Sequence, residues 1–249
     1  MCEKCGCSEP TLRQRGHTLA HTHAAAHAHT HEPEATELSR QDRLAERNRG
    51  FFLAKRVFVV NLLSFAGSGA PSFVARTVAE YGLRRKLRVV TSEFLDQIHA
   101  HHDHQDHDGH AHADTPAPDE NASLNAHGIA HALDHLDLDT AEIVLLENGG
   151  SAAAQAVYDL GETVRVAMFS VANGESKPLK FPFLFKDASA VVINETAPAA
   201  GSDFDRIKAR ANLAQVAPDA QILEVASATG AGMDAWYDFL EKGLSQTQS

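Results

Sequence analysis

Six short apolar runs recur along the chain, and most are separated by enough residues for a helix. They are RVFVVNLLSF (56–65), LRVVTSE (87–93), AEIVLLEN (141–148), TVRVAMFSV (163–171), SAVVINE (189–195) and AQILEVAS (220–227). The runs are rich in Val, Ile and Leu, and the first is apolar on both faces, as a strand covered on both sides must be. Helix-like stretches stand between them: SFVARTVAEYG (72–82), closed by Gly82; SLNAHGIAHALDHLDL (123–138), capped by Asn121 or Ser123; FDRIKARANLAQV (204–216); and MDAWYDFLEKGL (233–244). This rhythm predicts an α/β domain with a mostly parallel sheet flanked by helices. Loops after the strands then gather on one edge, where ligands bind. Leu124, Ile129, Leu133 and Leu136 are expected in the core, as are Trp236, Tyr237 and Leu240.

At 249 residues the chain holds one such domain with tails. Residues 1–34 are rich in Cys, His and Ala without apolar period and are expected to be a disordered metal-binding tail. Residues 35–55 predict an amphipathic helix packed on the domain through Leu38, Leu44, Phe51 and Leu53. Residues 56–249 form the α/β domain, interrupted by a low-complexity, disordered His-rich insertion at 99–121.

The net charge of −11 argues against nucleic acid as a partner and favours cations. No apolar run reaches the roughly 18 residues that span a bilayer, so no membrane partner is expected. The opening MCEKCGCSEP has no apolar stretch of the kind that heads a secretion signal, and the expected location is cytoplasmic. Gly-x-Ser-x-Gly elbows, zinc-protease motifs and nucleic-acid modules are absent from the sequence.

The stretch NLLSFAGSGAPSF (61–73) joins the first strand to the first helix through Gly67, Ser68 and Gly69. This is the layout of a phosphate-binding loop. A working loop carries Lys and then Ser or Thr after its last Gly, where the ammonium neutralises phosphate oxygens and the hydroxyl holds Mg²⁺. Here Ala70 removes the ammonium, and Pro71 removes the hydroxyl and one backbone N–H. Pro is tolerated in a first helical turn, so the turn can survive while its chemistry fails. Lys177 and Arg76 are the side chains that could replace the missing cation.

Cys2, Cys5 and Cys7 are the only cysteines, too closely packed for a disulfide framework. Their thiolates can converge on one ion with the N-terminal amine as fourth donor. A planar set suits Ni²⁺ and a tetrahedral set Zn²⁺. The alternatives are a reactive thiol cluster or a redox pair, although no strand precedes the Cys-x-x-Cys as in redox folds. Two histidine tracts offer imidazoles at short spacing. One holds His17, His21, His23, His27, His29 and His31; the other holds His99, His101, His102, His104, His107, His110 and His112. They suit weak, exchangeable binding, as storage or as a merely solvated linker. His127, His131 and His135 share a helix face, and an i, i+4 pair can chelate an ion.

Several stretches together resemble the nickel-accessory G proteins of hydrogenase maturation, the HypB type, over nearly the whole chain. They are MCEKCGC, the His-rich tail after it, NLLSFAGSG, HLDLDTAEIVLLENGG, SVANGESKPLKFPFLFKDASAVVINE and ASATGAGMDAWYDFL. The resemblance implies a P-loop GTPase-like fold of the SIMIBI type. It also implies nickel at the cysteines and nucleotide contacts at Gly67, Ser68, Gly69, Asn194, Ser227 and Ala228. The implied partners are the nickel ion, a maturation metallochaperone, the hydrogenase large subunit and a second subunit. That subunit is either another copy or an intact relative.

The departures from the family are specific. Its guanine-reading Asn-Lys-x-Asp is here Asn194, Glu195, Thr196 and Ala197, so the base-reading carboxylate is gone. Its second metal site falls on Ala122, Ser123 and Ala154, with His127 retained nearby. Glu93 stands where a Mg²⁺-linked Asp belongs. Each lost charge-assisted hydrogen bond is worth roughly 1.5–3 kcal/mol, so three or four together remove roughly 5–10 kcal/mol of nucleotide affinity. The expectation is a nickel-binding accessory protein, metallochaperone or store, on a degenerate G domain with little or no GTP hydrolysis and no catalytic residue. The alternative is a working nickel-insertion GTPase that still holds GTP and Mg²⁺.

Overall fold

The first strand, β1 (Phe58–Ser64), is buried along its whole length, and its period of two sorts side chains by face. Phe58, Val60 and Leu62 join one apolar cluster, which includes Phe73, Trp236 and Leu240. Val59 joins a second with Phe52, Leu95 and Ile129, and Leu63 a third with Phe65, Phe169, Phe185 and Leu213. A strand sandwiched this way needs helices on both sides, and the chain supplies them.

The computed structural model describes residues 33–102, 124–150, 158–195 and 204–249. These residues all belong to one unit, Pro33–Ser249. The remaining strands are β2 (Leu87–Val90), β3 (Ile143–Asn148), β4 (Val164–Ser170), β5 (Ala190–Asn194) and β6 (Gln221–Val225). They form one six-stranded sheet in the order β2-β3-β1-β4-β5-β6, parallel at every pairing. All six expected strands are present. The chain fills the β3 side of β1 before crossing to β4, so the carboxyl end of β1 lies where the order reverses, the usual place for a ligand crevice.

The helices are α1 (Pro33–Ala54), α2 (Ala70–Glu80), α3 (Ser92–His102), α4 (Ala126–Ala132), α5 (Lys177–Lys180), α6 (Pro182–Phe185), α7 (Arg206–Val216) and α8 (Met233–Gln248). Leu124, Ile129, Leu133 and Leu136 are buried as expected, as are Trp236, Tyr237 and Leu240. No helix among the described residues is long and apolar enough to cross a membrane.

Two expectations are corrected. α1 does not pack through Phe51 and Leu53, which are 43% and 59% exposed; Leu44 is half-buried, and the Leu38 side chain lies outside the described residues. Its inward stripe is Gln41, Ala45, Asn48 and Phe52. Two of these are polar and bind distant backbone: Asn48 Nδ2 donates to the carbonyls of Ala126 at 2.9 Å and Leu160 at 3.2 Å, while its buried Oδ1 has no partner among the described residues, and Gln41 Oε1 accepts from His127 N. The second correction is at β2, which ends at Val90 rather than Glu93. Thr91 Oγ1 accepts from Phe94 N, as an N-cap does, and α3 runs to His102. His99, His101 and His102 therefore lie on a helix rather than in a disordered insertion.

Candidate functional site

Between β1 and α2 the backbone makes a tight turn that two glycines permit. Gly67 has φ 74° and Gly69, the N-cap of α2, has φ 79°, in the left-handed region open to residues without Cβ. Pro71 sits in the first turn of α2 without breaking it. Three successive carbonyls of the turn are held from outside. Ala66 O accepts from Asn173 Nδ2 at 3.1 Å, Gly67 O from Ser170 Oγ at 2.9 Å, and Ser68 O from Asn194 Nδ2 at 2.9 Å. With the carbonyls tied outward, Gly67, Gly69 and Ala70 present their N–H groups without an acceptor among the described residues. That is the geometry of an anion cradle.

Ala70 and Pro71, which follow Gly69, carry no charge. Arg76 donates to the carbonyls of Ser227 and Ala228 and pairs with Glu80. Lys177 Nζ lies 4.6 Å from the centroid of Phe65 and 4.9 Å from that of Phe181, a cation–π seat on both rings. Both side chains considered as substitutes for the missing lysine thus have partners beside the loop: Phe65 leads into the turn, and Ser227 and Ala228 belong to the loop after β6.

Asn194 joins two loops. While its Nδ2 holds Ser68, its Oδ1 accepts from Ser227 N at 3.0 Å. Ser68, Asn194 and Ser227 are all buried, so the three expected loops do meet at one place. Glu195, next along the chain, pairs with Arg206. Arg206 and Arg210 in turn share Glu224, with Arg210 at 2.6 Å. A carboxylate in an ion-pair network therefore occupies the position where the family has a lysine. Thr196 and Ala197 lie outside the described residues.

Beside the loop, the carboxyl end of β3 carries Glu147 and Asn148. Burial first, and then the neighbouring Glu93 carboxylate, push the Glu147 carboxyl above its usual range. Asn148 Oδ1 accepts from Leu124 N, and its Nδ2 donates to Asn61 Oδ1. Asn61 Nδ2 passes the chain on to Glu162, which Arg165 neutralises at 2.5 Å. This buried polar line ties the head of α4 to the floor of the sheet.

Among the expected metal ligands, His127 lies on α4 with its ring edge-on to His131 at 4.6 Å between centroids. His135 falls beyond the last residue of α4. Among the described residues no group of three or more His, Cys, Asp or Glu is placed to hold a metal. Cys2, Cys5, Cys7, the six histidines of residues 17–31, and His104, His107, His110 and His112 lie outside the described residues. Ser170 and Asn173, which hold the loop, were not among the expected site residues. Their spacing, Ser-x-x-Asn at the end of a strand, was the available signal, and it forms a capping box around a 3₁₀ turn.

No protein-family model matches the chain. It is 34% identical over 232 residues to the hydrogenase maturation factor HypB of Azotobacter vinelandii, covering 92% of this chain and 74% of that one. To HypB of Escherichia coli K12 it is 35% identical over 235 residues, covering 91% and 78%. The crystal structure of HypB from Archaeoglobus fulgidus superposes with a TM-score of 0.68 at 30% identity, over 82% of this chain and 99% of that one. HypB from Helicobacter pylori, crystallised with nickel, gives 0.69 at 22% identity over 84% and 96%, a likeness of fold. With six parallel strands, a glycine turn at the reversal of strand order and two relatives above 30% identity along most of its length, this chain is a member of the HypB family of hydrogenase maturation factors, built on the P-loop GTPase fold.

Proposed function

We propose that this protein serves hydrogenase maturation as a nickel-handling accessory protein whose nucleotide site is degenerate. The observation that carries this reading is the pairing of an intact turn with missing charge. Gly67 and Gly69 keep their left-handed conformations, yet Ala70 and Pro71 stand where an ammonium and a hydroxyl are needed. Arg76 and Lys177 are held by other partners. A triphosphate on this cradle would meet N–H dipoles but no neutralising cation. Nickel then rests on the donors of the tails: Cys2, Cys5 and Cys7 for one ion, and the two histidine tracts for a labile pool that accepts zinc as well. The domain is the scaffold that presents them to a metallochaperone and to the hydrogenase large subunit in the cytoplasm, as a dimer with itself or with an intact relative.

Calorimetric titration with GTP and Mg²⁺, run beside metal analysis of the untagged chain, tests both halves. Absent heat at micromolar GTP, with nickel bound and reduced in a Cys2→Ser, Cys5→Ser, Cys7→Ser variant, is the expected result. Micromolar GTP binding with Mg²⁺-dependent turnover would establish the second reading, a working nickel-insertion GTPase. The ready-made cradle and the Asn194 bridge favour that second reading.

A further inference from the structure

Three of the four arginines of α1 share one side, while Arg49 faces away and pairs with Asp159. At about 100° per residue, Arg40, Arg43, Leu44, Arg47 and Phe51 fall within an arc of about 100°, and Asp42 and Glu46 lie on the far side. The arginine stripe borders α4, and together they line a cleft of about 520 Å³. His127 and His131 stand on its α4 wall, and Asp134 is the one carboxylate among the described residues that line it. All three arginines are exposed. None of them forms an ion pair among the described residues; Arg47 lies over the ring of Phe51 at 5.8 Å. Like charges at i, i+3 and i, i+4 repel along a helix, and here three stand together on a chain of net charge −11.

We infer that the α1–α4 cleft is a docking surface for an acidic segment of a partner protein. Charge selects an anion: three guanidiniums on one wall make the His127–His131 pair a poor seat for a metal cation. Length selects a peptide: from Arg40 to Phe51 the stripe runs roughly 16 Å, several times the width of a phosphate. The chain's overall negative field disfavours an extended polyanion such as nucleic acid, whereas a short carboxylate-bearing stretch meets only the local positive potential. Half-buried Leu44 and exposed Phe51 add apolar contact, so the fitting segment alternates carboxylates with apolar residues. Guanidinium forks pair with carboxylates in two-pronged fashion, which gives register as well as attraction.

Photo-crosslinking of the full chain in cells, with p-benzoylphenylalanine in place of Leu44, tests this. The expected adduct joins another polypeptide, and its cross-linked segment, sequenced by mass spectrometry, carries several Asp or Glu. Its yield falls about fivefold or more when Arg40→Glu and Arg47→Glu are introduced. In vitro, the adduct with the purified partner weakens as salt rises from about 50 to about 300 mM. The milder Arg40→Gln and Arg47→Gln pair, checked for unchanged helical circular dichroism, shows the same direction and separates lost charge from lost folding. No adduct, an adduct with a second copy of this chain or with nucleic acid, a cross-linked segment without carboxylates, or a yield indifferent to both charge variants would each overturn the inference.

Discussion

Asn194 donates its side-chain amide to the carbonyl of Ser68 at 2.9 Å, across 126 residues of sequence. Its oxygen accepts from the backbone of Ser227. One buried side chain thus fixes the glycine turn against the loop after β6, whether or not a nucleotide lies between them.

Replacing Asn194 by Ala leaves a buried carbonyl and a buried N–H without partners. Each orphaned group costs about 1–3 kcal/mol. Asn194→Ala is expected to lower unfolding free energy by about 2–4 kcal/mol, read from the urea midpoint at unchanged slope. A loss under about 0.5 kcal/mol would show that water takes over both contacts.

Restoring the missing chemistry should restore binding. Ala70→Lys with Pro71→Thr returns a cation and a Mg²⁺-holding hydroxyl to a cradle that is already shaped. The double variant is expected to gain about 100-fold or more in Mg²⁺–triphosphate affinity over the native chain, measured by calorimetry. Because Ala197 supplies no base-reading carboxylate, GTP and ATP should bind it within about threefold of one another. Equal affinity of the native chain and the variant would refute the degenerate-site reading.

Gly161 presses its backbone into α1. It has φ 88°, and a Cβ there would lie 2.6 Å from Ala45 O, 2.7 Å from Arg49 N and 2.8 Å from Asn48 Cβ. Backbone cannot yield as a flexible side chain can. Gly161→Ala should cost about 2–4 kcal/mol and speed amide exchange within α1. Unchanged exchange there would mean that the 158–163 loop moves instead.

The Arg85–Glu241 pair predicts a stability change in acid. Arg85 hydrogen-bonds both oxygens of Glu241 at 2.9 and 2.7 Å and holds its carboxyl below the usual range, with Tyr81 assisting. A depressed carboxylate stabilises the fold fully above its unfolded pKa of about 4.3, and that contribution is lost as pH falls through the folded value. The stability gap between the native chain and Glu241→Gln should therefore be constant from pH 7 to about pH 5 and close below about pH 4. Urea unfolding across that range measures it. A gap that persists at the lowest pH would assign the effect to packing.

Metal loading should separate into two classes by pH. Imidazole must be neutral to ligate, so ions on the histidine tracts are expected to leave as pH falls through about 6.5. The ion on Cys2, Cys5 and Cys7, about one per chain, should persist to lower pH, because metal binding depresses thiol pKa values. Equilibrium dialysis with nickel, with and without the cysteines, checks both. A single release step unaffected by cysteine substitution would remove the tight site.

The sequence by itself determined the six strands, the buried apolar positions of the segment 124–136 and of α8, and the course of the glycine turn. These depend on local periodicity and on residues such as Gly67, Gly69 and Pro71, whose backbone preferences act within a few positions. The same locality made the absence of a lysine and a hydroxyl at Ala70 and Pro71 legible. Only the tertiary structure decided which face of α1 turns inward. Gln41 and Asn48 read as surface residues until the backbone of His127 reaches the Gln41 oxygen and the carbonyls of Ala126 and Leu160 reach the Asn48 amide. It also decided which partners Arg76 and Lys177 take. Their partners, Ser227 and Ala228 for one and the Phe65 and Phe181 rings for the other, are brought close by closure of the sheet. Hydrogen bonds and cation–π contacts depend on distances that chain closure sets between remote segments, and a pattern of apolar spacing does not encode them.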